Sequence, residues 1–188
     1  SLLQILREQK AAKMTGGIYH KVQIDLTYNS NHIEGSRLTH DQTRYIFETN
    51  TIGFENEAVN VDDVIETSNH FRCIDFIIDK AGEKLTESFI KELHLLLKQG
   101  TSDSRKEWFA VGDYKKRPNM IGNMMETTPP SKVASEIKQL LKSYRENSNV
   151  TFEDIVDFAD DYYDYNGYGM GSGEDGILLL LAMEEREW

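Results

Sequence analysis

Asn166-Gly-Tyr-Gly-Met-Gly-Ser-Gly-Glu-Asp-Gly-Ile177 packs five glycines into the eleven positions 166–176, between an acidic aromatic segment and the apolar run Ile177–Leu181. Such glycine density lets backbone N–H groups converge on one point, and a following helix adds its positive N-terminal end. The stretch therefore reads as an anion cradle, although its Asn, Met, Ser and Glu side chains supply neither a base nor a phosphate clamp. Gly171-Ser-Gly173-Glu-Asp-Gly176 matches G-x-G-x-x-G, a pattern that marks a dinucleotide site only where a strand enters and a helix leaves. Here the entering segment has helical periodicity, which argues against that site. Asp164, Asn166 and Gly167 hint at a calcium loop, but its first and twelfth ligand positions would be Tyr162 and Gly173. A phosphate nest between two helices is the reading left.

Working outward, the chain has 188 residues, enough for one domain with a substantial core and an appended helical piece. Hydrophobic residues at 39% and charged residues at 28% describe an ordinary soluble globular protein. The net charge of −11, from 32 acidic and 21 basic residues, opposes free-standing nucleic-acid binding. A bound nucleotide needs only a local cluster of donors and stays compatible with that charge. The single Cys73 excludes an internal disulfide and lies in an apolar helical pattern, as an inert core thiol would. No signal peptide and no apolar run of about 18 residues is present, so a cytoplasmic protein without a membrane partner is expected.

Helical periodicity recurs along the chain. Leu2, Leu3, Ile5 and Leu6 predict an amphipathic helix over Leu2–Ala12, a face suited to a homodimer contact. A second helix is predicted over Ile18–His32, closed by Gly35 in the left-handed position that follows a helix. Thr39-His-Asp-Gln42 has the form of a capping box and opens a short helix through Phe47. Val61–Asp79 places Val64, Ser68, Phe71, Ile74 and Ile78 on one face. Thr86 caps the next helix, with Phe89, Ile90, Leu93, Leu96 and Leu97 inward and Gly100 at its exit. Gly112, Pro118, Gly122, Pro129 and Pro130 break helical periodicity, and Trp108–Val111 and Asn119–Gly122 read as extended, which predicts a β-hairpin or flap. Val133, Ile137, Leu140, Leu141 and Tyr144 mark a further helix. Another follows from the Thr151 cap, with Phe152, Ile155, Val156 and Phe158 inward, and leads into the glycine loop; Leu178–Met183 begins the last. The expected fold is mostly α with one small β element.

From Phe152 onward, the frame Phe-x-Asp-Ile-Val-Asp-Phe leading to the glycine loop resembles the Fic family. In that family the loop reads His-x-Phe-x-(Asp/Glu)-Gly-Asn-Gly-Arg-x-x-Arg between two helices of a helical bundle. Laid on this chain, the His falls on Asn166, the Phe on Tyr168 and the acidic residue on Met170. The Gly-Asn-Gly falls on Gly171-Ser172-Gly173, and the two arginines on Glu174 and Ile177. Ser30-Asn-His-Ile-Glu34-Gly35 resembles the family's inhibitory motif, (Ser/Thr)-x-x-x-Glu-(Gly/Asn), at a helix end; alone it also reads as an ordinary helix end with a solvated Glu. Gly112-Asp-Tyr-Lys-Lys-Arg117, continuing to Pro129-Pro130-Ser-Lys-Val133, is similar to the family's flap; alone it also fits a plain surface hairpin. Leu85-Thr86 with Leu93-His94 matches the helix before the flap, His94 itself reading as a packing histidine.

The resemblance implies N-terminal helices over 1–52, including an inhibitory helix at about 18–35. A Fic-like core over 53–188 would carry a flap at about 105–130 and the active loop at 166–177. It implies transfer of AMP from ATP, with Mg²⁺, to a Ser, Thr or Tyr hydroxyl on an extended segment of a target protein. The family His is a general base, the acidic residue a metal ligand, and the nest and first Arg stabilise the phosphates. The second Arg holds the γ-phosphate until the inhibitory Glu pairs with it. Here Asn166 accepts no proton, Met170 offers Mg²⁺ only a soft thioether, Glu174 repels phosphate and Ile177 has no donor. The flap residues Gly112, Tyr114 and Lys115 are implied to dock the target by strand addition. The alternative is a catalytically inactive Fic-fold module that binds a peptide or protein through this flap.

Overall fold

The computed structural model describes residues 1–53, 58–118, 120–121 and 125–146. The predicted helix at Thr151, the glycine loop at 166–177, the final helix at Leu178–Met183, and Asn119 and Gly122 lie outside the described residues.

Six helices carry the described fold: α1 (Leu2–Ala11), α2 (Ile18–Ile33), α3 (His40–Thr49), α4 (Val61–Lys80), α5 (Glu87–Lys98) and α6 (Pro130–Glu146). Their limits follow local chemistry. The Ser1, Thr39, Asn60 and Thr86 side chains each accept a backbone N–H at a helix start. At Thr39 the Gln42 side chain accepts the cap residue's own N–H, completing the capping box. Helix α2 closes with Gly35 at φ +94°, the Ser36 N–H donating to the Asn31 carbonyl and the Gly35 N–H to the His32 carbonyl. Those two bonds form a Schellman motif.

Helix α4 is the centre of the molecule. Its Cys73 and Ile77 pack with Phe89 and Leu93 of α5, while Ile74 and Ile78 pack with Leu6 of α1 and Tyr19 of α2. Phe71 joins Leu38 and Ile46 in a third cluster, and α5 and α6 close a fourth through Ile90, Val133, Ile137 and Leu141. A helix covered on opposite sides buries consecutive residues, which a single-stripe pattern does not anticipate. Thus Thr67, Asn69 and His70 of α4 are buried, whereas the predicted inward Ser68 is only partly covered. Ile74, Ile77 and Ile78 are fully buried, each stabilising the fold by about 1.5–3 kcal/mol. Arg7 of α1 ties down the far end of α4 by donating to the carbonyls of Ile78, Asp79 and Ala81.

Between α5 and α6 the chain makes a 3₁₀ turn at Asp103–Arg105 and a two-residue antiparallel ladder pairing β1 (Met120–Ile121) with β2 (Met125–Glu126). Trp108–Val111, expected to be extended, contains turns and no strand. Its backbone is used locally, as the Phe109 N–H donates to Lys106 and the Asp113 N–H to Ala110. No described helix is long and apolar enough to cross a membrane.

Candidate functional site

Three described features bear on the predicted site: the seam between α2 and α4, the end of α2, and the segment that leaves α5. The seam is polar where a core is usually apolar. Gln23, Thr27, Ser30 and Asn31 of α2 are buried against Thr67 and His70 of α4. Thr27 Oγ1 and His70 Nδ1 share a 2.8 Å hydrogen bond, and Asn31 Nδ2 donates to Thr67 Oγ1 at 2.9 Å. One turn earlier, Tyr19 Oη and Gln23 Nε2 both donate to Asp75 Oδ1, at 2.8 and 2.9 Å. Burial pushes the His70 imidazole down to about 3 and the Asp75 carboxyl above its usual range. His70 is therefore neutral at ordinary pH, as its 1% exposure requires. Among the described residues, His70 Nε2 and Ser30 Oγ have no hydrogen-bond partner.

This seam delivers the end of α2. Helical structure stops at Ile33, so Glu34 is the C-cap residue, its N–H donating to the Ser30 carbonyl at 3.2 Å. Ser30 and Glu34 are four residues apart, yet Ser30 is 5% exposed while Glu34 and Gly35 are exposed. Among the described residues Glu34 is in no ion pair.

The predicted flap residues are anchored inward. Gly112, at φ +71°, lies so close to α5 that a Cβ there would sit 2.9 Å from Leu95 Cβ and 3.3 Å from the Lys91 carbonyl oxygen. Its N–H donates to His94 Nδ1 at 3.1 Å, and burial pushes that imidazole down to about 4, keeping the acceptor unprotonated. The predicted packing role of His94 is what this contact describes. Lys91 pairs with Glu87 at 3.1 Å and Asp113 at 2.9 Å, and its ammonium lies 4.1 Å from the Tyr114 ring centroid. Tyr114 packs against the Ile90–Leu141 cluster, and Lys115 Nζ donates to Thr127 Oγ1. Cys73 is fully buried and its thiol is pushed up to about 12, in keeping with an inert core role.

Asn166, Met170, Gly171, Ser172, Gly173, Glu174 and Ile177 lie outside the described residues. Among the described residues no group of three or more His, Cys, Asp or Glu is placed to hold a metal ion. Sequence reasoning missed the α2–α4 seam. The available signal was the stripe Gln23, Thr27, Asn31 at four-residue spacing, a polar face where a surface helix gains nothing from regularity.

No protein-family model and no curated protein matches the sequence. Solved structures do match the fold, among them two Fic proteins. A Fic domain containing signalling protein from Bacteroides thetaiotaomicron VPI-5482 aligns over 96% of this chain and 70% of its own, with 23% identity and a TM-score of 0.67. A Fic family protein from Desulfovibrio desulfuricans G20 aligns over 95% of this chain and 52% of its own, with 17% identity and a TM-score of 0.63. The protein is a helical bundle, and its fold is the Fic fold. The mostly α architecture expected from the sequence is the one observed.

Proposed function

We propose that the chain is a Fic-type nucleotidyltransferase that moves AMP from ATP to a hydroxyl of a target protein, with Glu34 at the position of a self-inhibitory glutamate. The observation that carries this reading is a Fic fold over nearly the whole chain combined with the closure of α2 at Ser30–Gly35. The Schellman bonds fix the helix end, and the carboxylate of Glu34 is left exposed beside it. In such an enzyme Glu34 would oppose a cation that holds the γ-phosphate.

The loop residues do not fit magnesium and ATP. Mg²⁺ requires hard oxygen ligands, and position 170 carries a Met thioether. At the positions the resemblance gives to the two phosphate-binding arginines stand Glu174, an anion, and Ile177, which has no donor, and Asn166 cannot act as a base. These four residues favour a second reading, an inactive Fic-fold module that binds an extended peptide or protein through the flap.

The experiment follows AMP adducts by mass spectrometry after the full chain is mixed with ATP, Mg²⁺ and a cell lysate. The transferase reading expects adducts from the unaltered chain. It also expects about a hundredfold more from a chain carrying Asn166→His, Met170→Asp, Glu174→Arg and Ile177→Arg, because a general base alone is worth that much. In the rebuilt chain Glu34→Gly should raise labelling further. Adducts from the rebuilt chain alone select the binding module, and adducts from neither chain overturn the transferase reading.

A further inference from the structure

The segment 105–117 is a basic island in an acidic protein. It holds five basic residues (Arg105, Lys106, Lys115, Lys116, Arg117) and two acidic ones (Glu107, Asp113), a local charge of +3. With a total of −11, the rest of the chain carries −14. The structure then sorts these charges. Asp113 is engaged by Lys91, and Lys115 is half-buried against Thr127. Lys116 and Arg117 are exposed, and neither is in an ion pair among the described residues. The Arg117 guanidinium lies 5.7 Å from the Trp108 ring centroid and the Lys106 ammonium 5.2 Å from it. Lys106 also pairs with Asp103.

Trp108 is 43% exposed, an unusual placement for an indole. It is not a stray side chain, because Phe109 packs edge-on against it at 6.1 Å and in turn meets His94 at 5.7 Å. Leu95, which the Gly112 turn touches, is 45% exposed. The result is an exposed aromatic shelf with two cations, Lys106 and Arg117, close to its ring, in the segment that leads to β1.

We infer that this shelf recognises an extended acidic peptide segment of the target, with carboxylates meeting Arg117 and Lys116 and apolar atoms resting on Trp108. The inference rests on the target-docking part of the proposed function and gives the target a chemical class. The net charge of the rest of the chain opposes an acidic segment and this island attracts it, so the shelf supplies orientation as well as affinity. An oligonucleotide is a poorer occupant: its phosphates repeat every few ångströms along a longer track than this short segment offers, and the chain's net charge of −11 opposes them.

The test uses the full chain and three fluorescent peptides of equal length with a central Ser, flanked by Glu, by Gln or by Lys, together with a single-stranded oligonucleotide. Anisotropy should show the Glu peptide binding about tenfold more tightly than the Gln peptide, the sum of two exposed ion pairs, with weaker binding at higher salt. The variant carrying Lys116→Gln and Arg117→Gln should lose this preference while unfolding at an unchanged temperature, and Trp108→Leu should weaken all peptides alike. Equal affinity for the Glu and Gln peptides, no peptide binding, or preference for the oligonucleotide overturns the inference. Since the readout is binding, loss of the acidic preference with AMP transfer intact sinks only this inference. Acidic-peptide binding without AMP transfer sinks only the transferase.

Discussion

His70 is a titratable residue placed where it cannot carry a charge. Its ring is held on one side by Thr27, and burial lowers its pKa from 6.5 to about 3; His94 shifts the same way, to about 4. For a histidine whose folded-state pKa is depressed, the unfolded chain binds the proton first. Stability is therefore complete above pH 6.5 and is lost as pH falls toward the folded pKa. Each buried imidazole contributes a slope approaching about 1.4 kcal/mol per pH unit once its unfolded form is protonated. Urea midpoints measured between pH 6.5 and 5, where ordinary carboxylates contribute little, should fall steadily. In His70→Gln the slope should be roughly halved; an unchanged slope would mean that this imidazole is not buried neutral.

Elements here are joined by backbone approaches that side chains would obstruct. The clearest case is Gly112, where the segment leaving α5 folds back onto it and donates to His94. Gly35 has a similar positive φ at the end of α2, but nothing lies within 4 Å of where its Cβ would be. The two alanine substitutions therefore separate strain from crowding. Gly35→Ala should cost about 1 kcal/mol, the left-handed penalty alone. Gly112→Ala adds a clash with the α5 backbone and Leu95, bringing its cost to about 2–4 kcal/mol. Denaturant unfolding of the two variants would give this order, and equal costs would argue against the close packing of the Gly112 turn on α5. For the same reason Tyr114, expected from the sequence to lie in a flap, is a packing residue, and its truncation would disturb the Ile90–Leu141 cluster.

Among the described residues, several ion pairs are at least partly exposed and worth little each, such as Arg44 with Asp41 and Glu48, and Lys142 with Glu146. The net charge of −11 opposes compaction at longer range than these pairs favour it. Salt shortens the screening length from about 30 Å at 0.01 M to about 8 Å at 0.15 M, weakening the long-range repulsion most. Thermal unfolding should therefore move to higher temperature over that range. A shift to lower temperature would show that the local pairs outweigh the net charge.

Much of this protein was legible in its sequence because the signals are local. Helix starts at Thr39 and Thr86, the stop at Gly35 and the inward residues of α5 and α6 depend on a few neighbouring residues and on helical periodicity. The likeness of Ser30–Gly35 and of the 112–133 segment to Fic motifs was also readable, and the fold agrees with it. Other features depend on partners distant in the chain. No pattern inside α4 reveals that it will be covered on two sides, or that Thr27 will meet His70, 43 residues away. The same holds for the turn at Trp108–Val111, expected as strand, whose neighbour Gly112 is held against α5. Local chemistry determined where helices begin and end; only tertiary packing decided which polar residues are buried, because burial belongs to pairs of surfaces and not to single stretches of chain.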